Sequence, residues 1–131
     1  MTEAIDICER AADALRGAGM DALGTRIDRI TGKDGVVVRM MPSRTLEHYL
    51  DGSRLVECVL QVVSKRLNPA DAMADCERAS DALRAADLSS ANGSYAVVLP
   101  AEPDGDMEEL AVGEDRRHVW AVRLAVQIMR S

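Results

Sequence analysis

A long alternating segment that leads directly into a helix start constrains the fold of this chain more than any other feature. Between Arg54 and Lys65 one parity is wholly apolar, and it consists of Val56, Cys58, Leu60 and Val62. Such alternation places those side chains together on one face of a β-strand. The other parity is mixed and consists of Leu55, Glu57, Val59, Gln61, Val63 and Lys65. The pattern predicts a strand with one face in the core and a second face that is half polar.

A helix is predicted immediately after this strand. Asn68 suits the N-cap position, Pro69 the first helical position and Asp71 the first turn, each for a separate physical reason. The helix is expected to run from Pro69 to about Ala86. Its expected apolar stripe is Met73, Cys76, Ser80 and Leu83.

The rest of the chain predicts one more helix and four more strands. Apolar residues at steps of three and four predict a helix over about Glu3 to Arg16. Strands are expected at Thr25–Ile30 and Val36–Met41, on either side of the glycine-containing turn TGKDG. Pro42 is expected to end the second of these strands, because proline cannot donate a ladder hydrogen bond, and SRTLEHYLDG is expected to be a loop. The remaining predicted strands are Ser94–Leu99 and His118–Met129.

An internal repeat supports a single layered domain over residues 1–131. The sequence CERAADALR at Cys8–Arg16 returns as CERASDALR at Cys76–Arg84, and each copy precedes a pair of strands. The repeated Cys and Leu lie on the apolar stripes, which favours two equivalent helices packed on one sheet. The predicted fold class is α+β: a mostly antiparallel five-stranded sheet with both helices on one face, in the order α-β-β-β-α-β-β.

Composition argues against several classes of protein. The net charge of −6 has the wrong sign for gripping phosphate backbones, and one Trp and two Tyr are too few for a base-stacking platform. Three cysteines without CxxC spacing suggest neither a disulfide framework nor a zinc site, so a reduced interior is expected. The N-terminus lacks the features of a signal peptide, and no stretch approaches the roughly 20 apolar residues of a membrane span. A soluble protein with no membrane partner is expected.

The segment Ala101–Arg116 is unusually acidic and is predicted to be a long loop. Three interpretations are open: a calcium site built from alternate carboxylates, a mobile solvated loop, or a negatively charged surface that repels nucleic acid passing through a channel. An EF-hand is disfavoured, because the loop glycine and the terminal glutamate are not at matching positions. The acidic residues considered for a lumen or partner-facing role are Asp104, Asp106, Glu108, Glu109, Glu114 and Asp115.

No catalytic motif emerges from the nucleophiles and bases in the sequence. His48 and His118 each lie near carboxylates, but no nucleophile is tied to either by a known motif. Ser43 and Ser64 lack an elbow context, and the glycines form no P-loop. The cysteines lie on apolar stripes, which is typical of core residues. The sequence therefore predicts no enzyme activity, no catalytic residues, no metal and no cofactor.

The order of these segments resembles the minor capsid or tail terminator family of long-tailed, siphovirus-type bacteriophages. The similarity extends from about Ile27 to Met129 and rests on TGKDGVVVRMMPS, YLDGSRLVECVLQVVSKRLNPADAM, DLSSANGSYAV and HVWAVRLAVQI, in that order. The matching positions are Gly35, Pro42, Asp51, Gly52, Asn68, Pro69, Asn92 and Gly93.

The resemblance implies a virion structural protein at the head–tail junction, made in the host bacterial cytoplasm. Such a protein forms a homo-oligomeric ring, typically a hexamer, that ends polymerisation of the tail tube and joins the tail to the head. Its implied partners are the tail tube protein and a head-completion or stopper protein, with DNA only passing through the lumen. The residues expected at the subunit interface are Tyr49, Leu55, Glu57, Val59, Gln61 and Val63. Another head–tail connector or stopper protein and a non-phage small-molecule-binding α+β domain are the alternatives.

Overall fold

The computed structural model describes residues 5–20, 35–112 and 116–130. The predicted strand Thr25–Ile30, most of the turn after it, and the predicted start of the first helix at Glu3 lie outside these residues. The elements are α1 Ile7–Gly17, β1 Gly35–His48, β2 Arg54–Arg66, α2 Pro69–Ala85, β3 Ala96–Pro103, β4 Glu108–Val112 and β5 His118–Arg130.

The five described strands form one antiparallel sheet in the order β1-β2-β5-β3, and β4 also pairs with β5. The α+β class is therefore confirmed. Among the described residues, two strands precede α2 and three follow it, whereas three and two were predicted. The strands β2 and β5 form the centre of the sheet and pair without a register shift from Arg54 and Arg130 to Arg66 and His118.

The core lies between the sheet and the two helices. The predicted inward residues of β2 are all buried, and they meet an equivalent set on β5, namely Val122, Leu124, Val126 and Ile128. From the helices, Ile7, Leu15, Cys76 and Leu83 pack into the same cluster. Each fully buried aliphatic side chain of this kind contributes roughly 1.5–3 kcal/mol to stability. The alternating pattern thus positions both central strands against the helical layer.

The repeated helices pack on the same face of the sheet, as predicted. Leu15 in α1 and Leu83 in α2 occupy equivalent positions and are both fully buried. The residues one position before each repeat, Ile7 and Asp75, are buried as well, although they differ in chemistry. The sequence repeat therefore corresponds to two helices that pack in equivalent ways on one sheet.

The start of α2 is confirmed in detail. The Asn68 side chain accepts a hydrogen bond of 2.9 Å from the Ala70 N–H, and Asn68 has extended backbone angles. Pro69 follows in the first helical position, where a missing N–H is no disadvantage. These interactions begin α2 directly after β2, so the helix runs back across the sheet.

The prediction that Pro42 ends its strand was wrong. The strand β1 continues to His48, because Pro42 and Ser43 together lie opposite Cys58 in a β-bulge between the pairs Met41–Val59 and Arg44–Glu57. A bulge leaves one residue outside the ladder, so the missing N–H of proline removes no ladder bond. The predicted loop SRTLEHYLDG is instead the distal part of a long β1–β2 hairpin.

The prediction of a long loop at Ala101–Arg116 was also largely wrong. The segment forms the end of β3 and all of β4, joined by a turn in which Gly105 has a φ of 87°. Pro100 and Ala101 lie opposite Val126 in a second bulge, which again accommodates a proline within an edge strand. Pairing with β5 satisfies the backbone N–H and C=O groups of this segment that face β5, despite the charge of its side chains.

A carboxylate ties the start of α1 to the loop that precedes β3. Asp6 accepts hydrogen bonds from the Ser90 hydroxyl at 2.8 Å, the Ala91 N–H at 2.9 Å and the Ser94 hydroxyl at 3.2 Å. Burial raises the pKa of Asp6, but these hydrogen bonds together lower the pKa below the ordinary 3.8. The ionised form is therefore the one that stabilises the fold.

Asp6→Asn is expected to lower the free energy of unfolding by about 1 kcal/mol at neutral pH, because an amide accepts these bonds less strongly. A carboxyl group whose pKa is lower in the folded state than in the unfolded state stabilises the fold at pH values above its unfolded pKa of 3.8. That stabilisation is lost as the pH falls through the folded pKa. The difference from wild type should therefore shrink in acid. Urea unfolding at neutral pH and at about pH 3 measures it, with exposed Glu9→Gln as the control. An equal loss at both pH values would contradict the prediction.

Candidate self-association surface

The sheet has an outer face, formed by the side chains of β1, β2 and β5 that point away from α1 and α2. Successive side chains alternate across a strand, so Val63 points away from the helices because Val62 packs against them. Both described helices pack on the other face. The outer face is therefore the face of the sheet that the described helices leave uncovered.

Apolar and polar rows alternate along the outer face. The strand register places one residue of β1, one of β2 and one of β5 in each row. The six rows are Gly35–Lys65–Val119, Val37–Val63–Ala121, Arg39–Gln61–Arg123, Met41–Val59–Ala125, Arg44–Glu57–Gln127 and Glu47–Leu55–Met129. Such a mixed face is more polar than a core and more apolar than an ordinary solvated surface.

Burial divides this face into two parts. Val63 is fully buried within the subunit, and Gln61 is only 2% exposed, so neither is free to contact a neighbour directly. Gln61 also accepts a hydrogen bond from the Arg39 guanidinium. By contrast Leu55, Glu57 and Val59 are half-buried. The open part of the predicted interface is thus the half nearest the hairpin tip.

The open half carries one ion pair. The Arg44 Nε lies 3.4 Å from the Glu57 Oε1, and the Arg44 side chain is 73% exposed. An exposed pair of this kind contributes only about 0–1 kcal/mol to stability. Arg44 can therefore exchange this partner for another carboxylate at little cost.

The tip of the β1–β2 hairpin presents an apolar side chain on a hydrogen-bonded turn. The Tyr49 N–H donates to the Ser53 carbonyl at 2.9 Å, and the Asp51 carboxylate accepts from the Ser53 N–H and hydroxyl at 2.9 and 2.6 Å. These bonds from Ser53 lower the pKa of Asp51. Leu50, between Tyr49 and Asp51, projects fully into solvent, and Tyr49 is 41% exposed. A preorganised turn loses little conformational entropy on binding.

The acidic residues are distributed along an edge of the sheet. Asp104 and Asp106 lie in the β3–β4 turn and are exposed, while Glu108 and Glu109 begin β4. The Glu109 carboxylate lies 3.2 Å from the His118 Nδ1. Glu114 and Asp115 lie outside the described residues. In the described part of the chain, no group of three or more His, Cys, Asp or Glu side chains is placed to hold a metal ion.

The other candidate reactive residues lie apart from one another. His48 is exposed at the end of β1, and Ser43 is exposed in the bulge, where its hydroxyl donates to the Met41 carbonyl. Burial raises the pKa of Cys8 to about 11 and that of Cys76 to about 12, and burial also raises the pKa of Cys58. These thiols are therefore protonated at neutral pH and packed as apolar groups.

Sequence reasoning missed a buried polar network beneath α2. The fully buried Ser64 hydroxyl donates to the Asp75 Oδ2 at 2.7 Å, and the Arg66 guanidinium donates to both carboxylate oxygens at 2.8 and 3.3 Å. Asp75 is only 4% exposed. One sequence feature could have indicated this network. Asp75 stands one residue before the second copy of the repeat, at the position that the apolar Ile7 occupies before the first copy. The network joins α2 to the end of β2.

Comparison with known proteins assigns no family. No protein-family model matches the chain, and no curated protein matches it. Within the described residues, no helix is long and apolar enough to cross a membrane.

Proposed function

We propose that this chain is the subunit of a homo-oligomeric ring at the head-proximal end of a bacteriophage tail tube. In this role it ends tube polymerisation and joins the tail to the head. The observation that carries the proposal is the division of the sheet into a face that packs on both helices and an outer face with half-buried apolar rows. The antiparallel α+β fold agrees with the resemblance found in the sequence.

The composition of the outer face suits contact between subunits. Interfaces combine an apolar centre with a polar rim, and both are required to exclude water and satisfy charges. The rows that contain Val59 and Leu55 provide apolar contact, and the row between them contains Glu57 and Arg44. The projecting Leu50 at the hairpin tip extends this surface beyond the sheet.

The acidic turn between β3 and β4 supports a second part of the proposal. Asp104 and Asp106 are exposed, and their carboxylates would repel a DNA backbone. Copies of this turn around a lumen would let DNA slide through without binding. The tail tube protein and a head-completion or stopper protein would contact the two rims of the ring.

Negative-stain electron microscopy tests this function in lysates of the source phage or prophage with the reading frame disrupted. Overlong or ragged tails beside unattached, DNA-filled heads are the expected result. Tails of normal length beside tailless heads that leak DNA would favour a stopper or connector instead. Normal virions would exclude the structural role and favour a small-molecule-binding domain.

A further inference from the structure

The exposed large apolar side chains of the described residues concentrate on the two edges of the described sheet. Two segments define these edges: the hairpin edge, Val38–Leu50, and the acidic edge, Ala96–Val112, which contains β3 and β4. The hairpin edge carries Met40, Tyr49 and Leu50; the acidic edge carries Val98, Leu99, Leu110 and Val112; the others are Leu67 and Met73. Exposed apolar side chains that cluster in one part of a surface are typical of contact surfaces.

The two edges carry net charges of opposite sign, and this difference determines which edges of two copies can pair. The acidic edge contains no Lys or Arg; its charged residues are Glu102, Asp104, Asp106, Glu108 and Glu109. The hairpin edge carries Arg39 and Arg44 against the single carboxylate of Glu47. Two acidic edges would repel each other, because like charges brought together at an interface are strongly unfavourable. Contact between unlike edges brings the arginines of one copy to the carboxylates of the next.

The strand register places one candidate pair at matching levels. Arg44 shares a row with Gln127, and Glu102 pairs with Ala125, two residues further along the same strand. The backbone positions of the two residues therefore have the same parity in the sheet and are separated along the strand direction by only about 7 Å. Arg44 is 73% exposed and pairs with Glu57 at 3.4 Å. Glu102 is 63% exposed, and its carboxylate lies 3.5 Å from the guanidinium of Arg84 in α2, at the edge of the sheet. Both are free to exchange those partners for each other across a contact.

We propose that two copies of this chain join head to tail, with the hairpin edge of one against the acidic edge of the next and Arg44 facing Glu102. The inference rests on the ring proposed above and adds the two edges of the sheet to the outer face as surfaces of its contact. A contact between unlike surfaces repeats around a closed ring when the rotation between neighbours divides a full turn. The contact is made by side chains, because the bulges at Pro42 and Pro100 interrupt both edge strands.

Two charge reversals test this polarity. Arg44→Glu places carboxylates on both edges, and Glu102→Arg places guanidinium groups on both, so each variant alone meets like charge at every contact. Each is expected to associate at least about tenfold more weakly than wild type. Mixed in equal amounts, the two variants are expected to regain assembly with alternating subunits, because every contact then joins opposite charges. Sedimentation velocity at low salt and native mass spectrometry measure these states.

The controls separate this contact from the proposed ring. Exposed Glu9→Arg on α1 makes the same reversal as Glu102→Arg outside both edge segments and should assemble like wild type. Thermal unfolding should show that both edge variants remain folded. Wild-type assembly with unaffected single variants, or a mixture that does not recover, overturns the head-to-tail contact and leaves the ring standing. A wild type that stays monomeric overturns both.

Discussion

Val59→Asp is expected to give a folded monomer that no longer assembles. Val59 lies on the outer face between Met41 and Ala125, in the apolar row next to Glu57. Its side chain is half-buried and does not belong to the core cluster that faces the helices. The monomer should lose only about 1 kcal/mol, the usual span of strand preference. At an interface, the unpaired charge would be desolvated beside the Glu57 carboxylate, which should weaken association by about a hundredfold or more.

Sedimentation velocity and thermal unfolding of the same samples test this prediction. Val59→Thr keeps the branched shape without adding a charge and should assemble nearly as well as wild type. Ala74→Asp adds the same carboxylate at an exposed position on α2 and should leave assembly unchanged. Unaltered assembly of Val59→Asp would exclude the outer face from the subunit contact. Loss of folding in that variant alone would show instead that Val59 is required by the subunit itself.

The elements predicted well are those in which a single periodic pattern also determined burial. The apolar parity of β2 is buried throughout, and the equivalent parity of β5 is buried from Val122 onward. The start of α2 was predicted residue by residue, since Asn68 and Pro69 act through local backbone interactions. Local chemistry of this kind needs no knowledge of the rest of the fold.

The failures share one physical cause. Pro42 was expected to end its strand, and Ala101–Arg116 was expected to be a loop, but Pro42 and Pro100 both lie in bulges of strands at an edge of the described sheet. Whether a proline sits at a bulge depends on the register with the neighbouring strand, and that register is a tertiary property. The acidic residues of β4 were likewise predicted to form a loop. Edge strands and solvated loops both carry charged side chains, so charge alone does not distinguish them.

The candidate surface was predicted only in part for a similar reason. Sequence alternation assigned Gln61 and Val63 to the same face as Val59, and the register confirms that they share a face. Alternation specifies the direction of a side chain but not what covers it. Val63 is buried in a cluster with Val37 and Ala121, which come from two other strands, so its burial depends on tertiary structure.

The buried network of Asp75 distinguishes α2 from its repeat partner α1. At the equivalent position α1 has Ile7, which is fully buried in the apolar cluster. In α2 the same inward direction leads to the Ser64 hydroxyl and the Arg66 guanidinium at the end of β2. Two nearly identical helices therefore use one inward position differently, the first for apolar packing and the second for a polar connection to the sheet.

Asp75→Ala is expected to lower the free energy of unfolding by about 3 kcal/mol. The change leaves the fully buried Ser64 hydroxyl without its acceptor and removes the carboxylate partner of Arg66. Arg66 is 37% exposed, so water compensates part of its loss. In a domain of this size the expected fall in melting temperature is about 10 °C. Urea unfolding monitored by circular dichroism gives the free energy directly.

A double-mutant cycle identifies the origin of that loss. Asp75→Asn keeps an acceptor for Ser64 and should cost less than Asp75→Ala. Ser64→Ala combined with Asp75→Ala removes both partners of the buried bond, so the double variant should be more stable than the sum of the single losses predicts, by about 1 kcal/mol. Strict additivity would mean that the Ser64–Asp75 hydrogen bond contributes nothing by itself. The cost of Asp75→Ala would then arise from Arg66 alone, and α2 would be joined to β2 by the ion pair rather than by the buried hydroxyl.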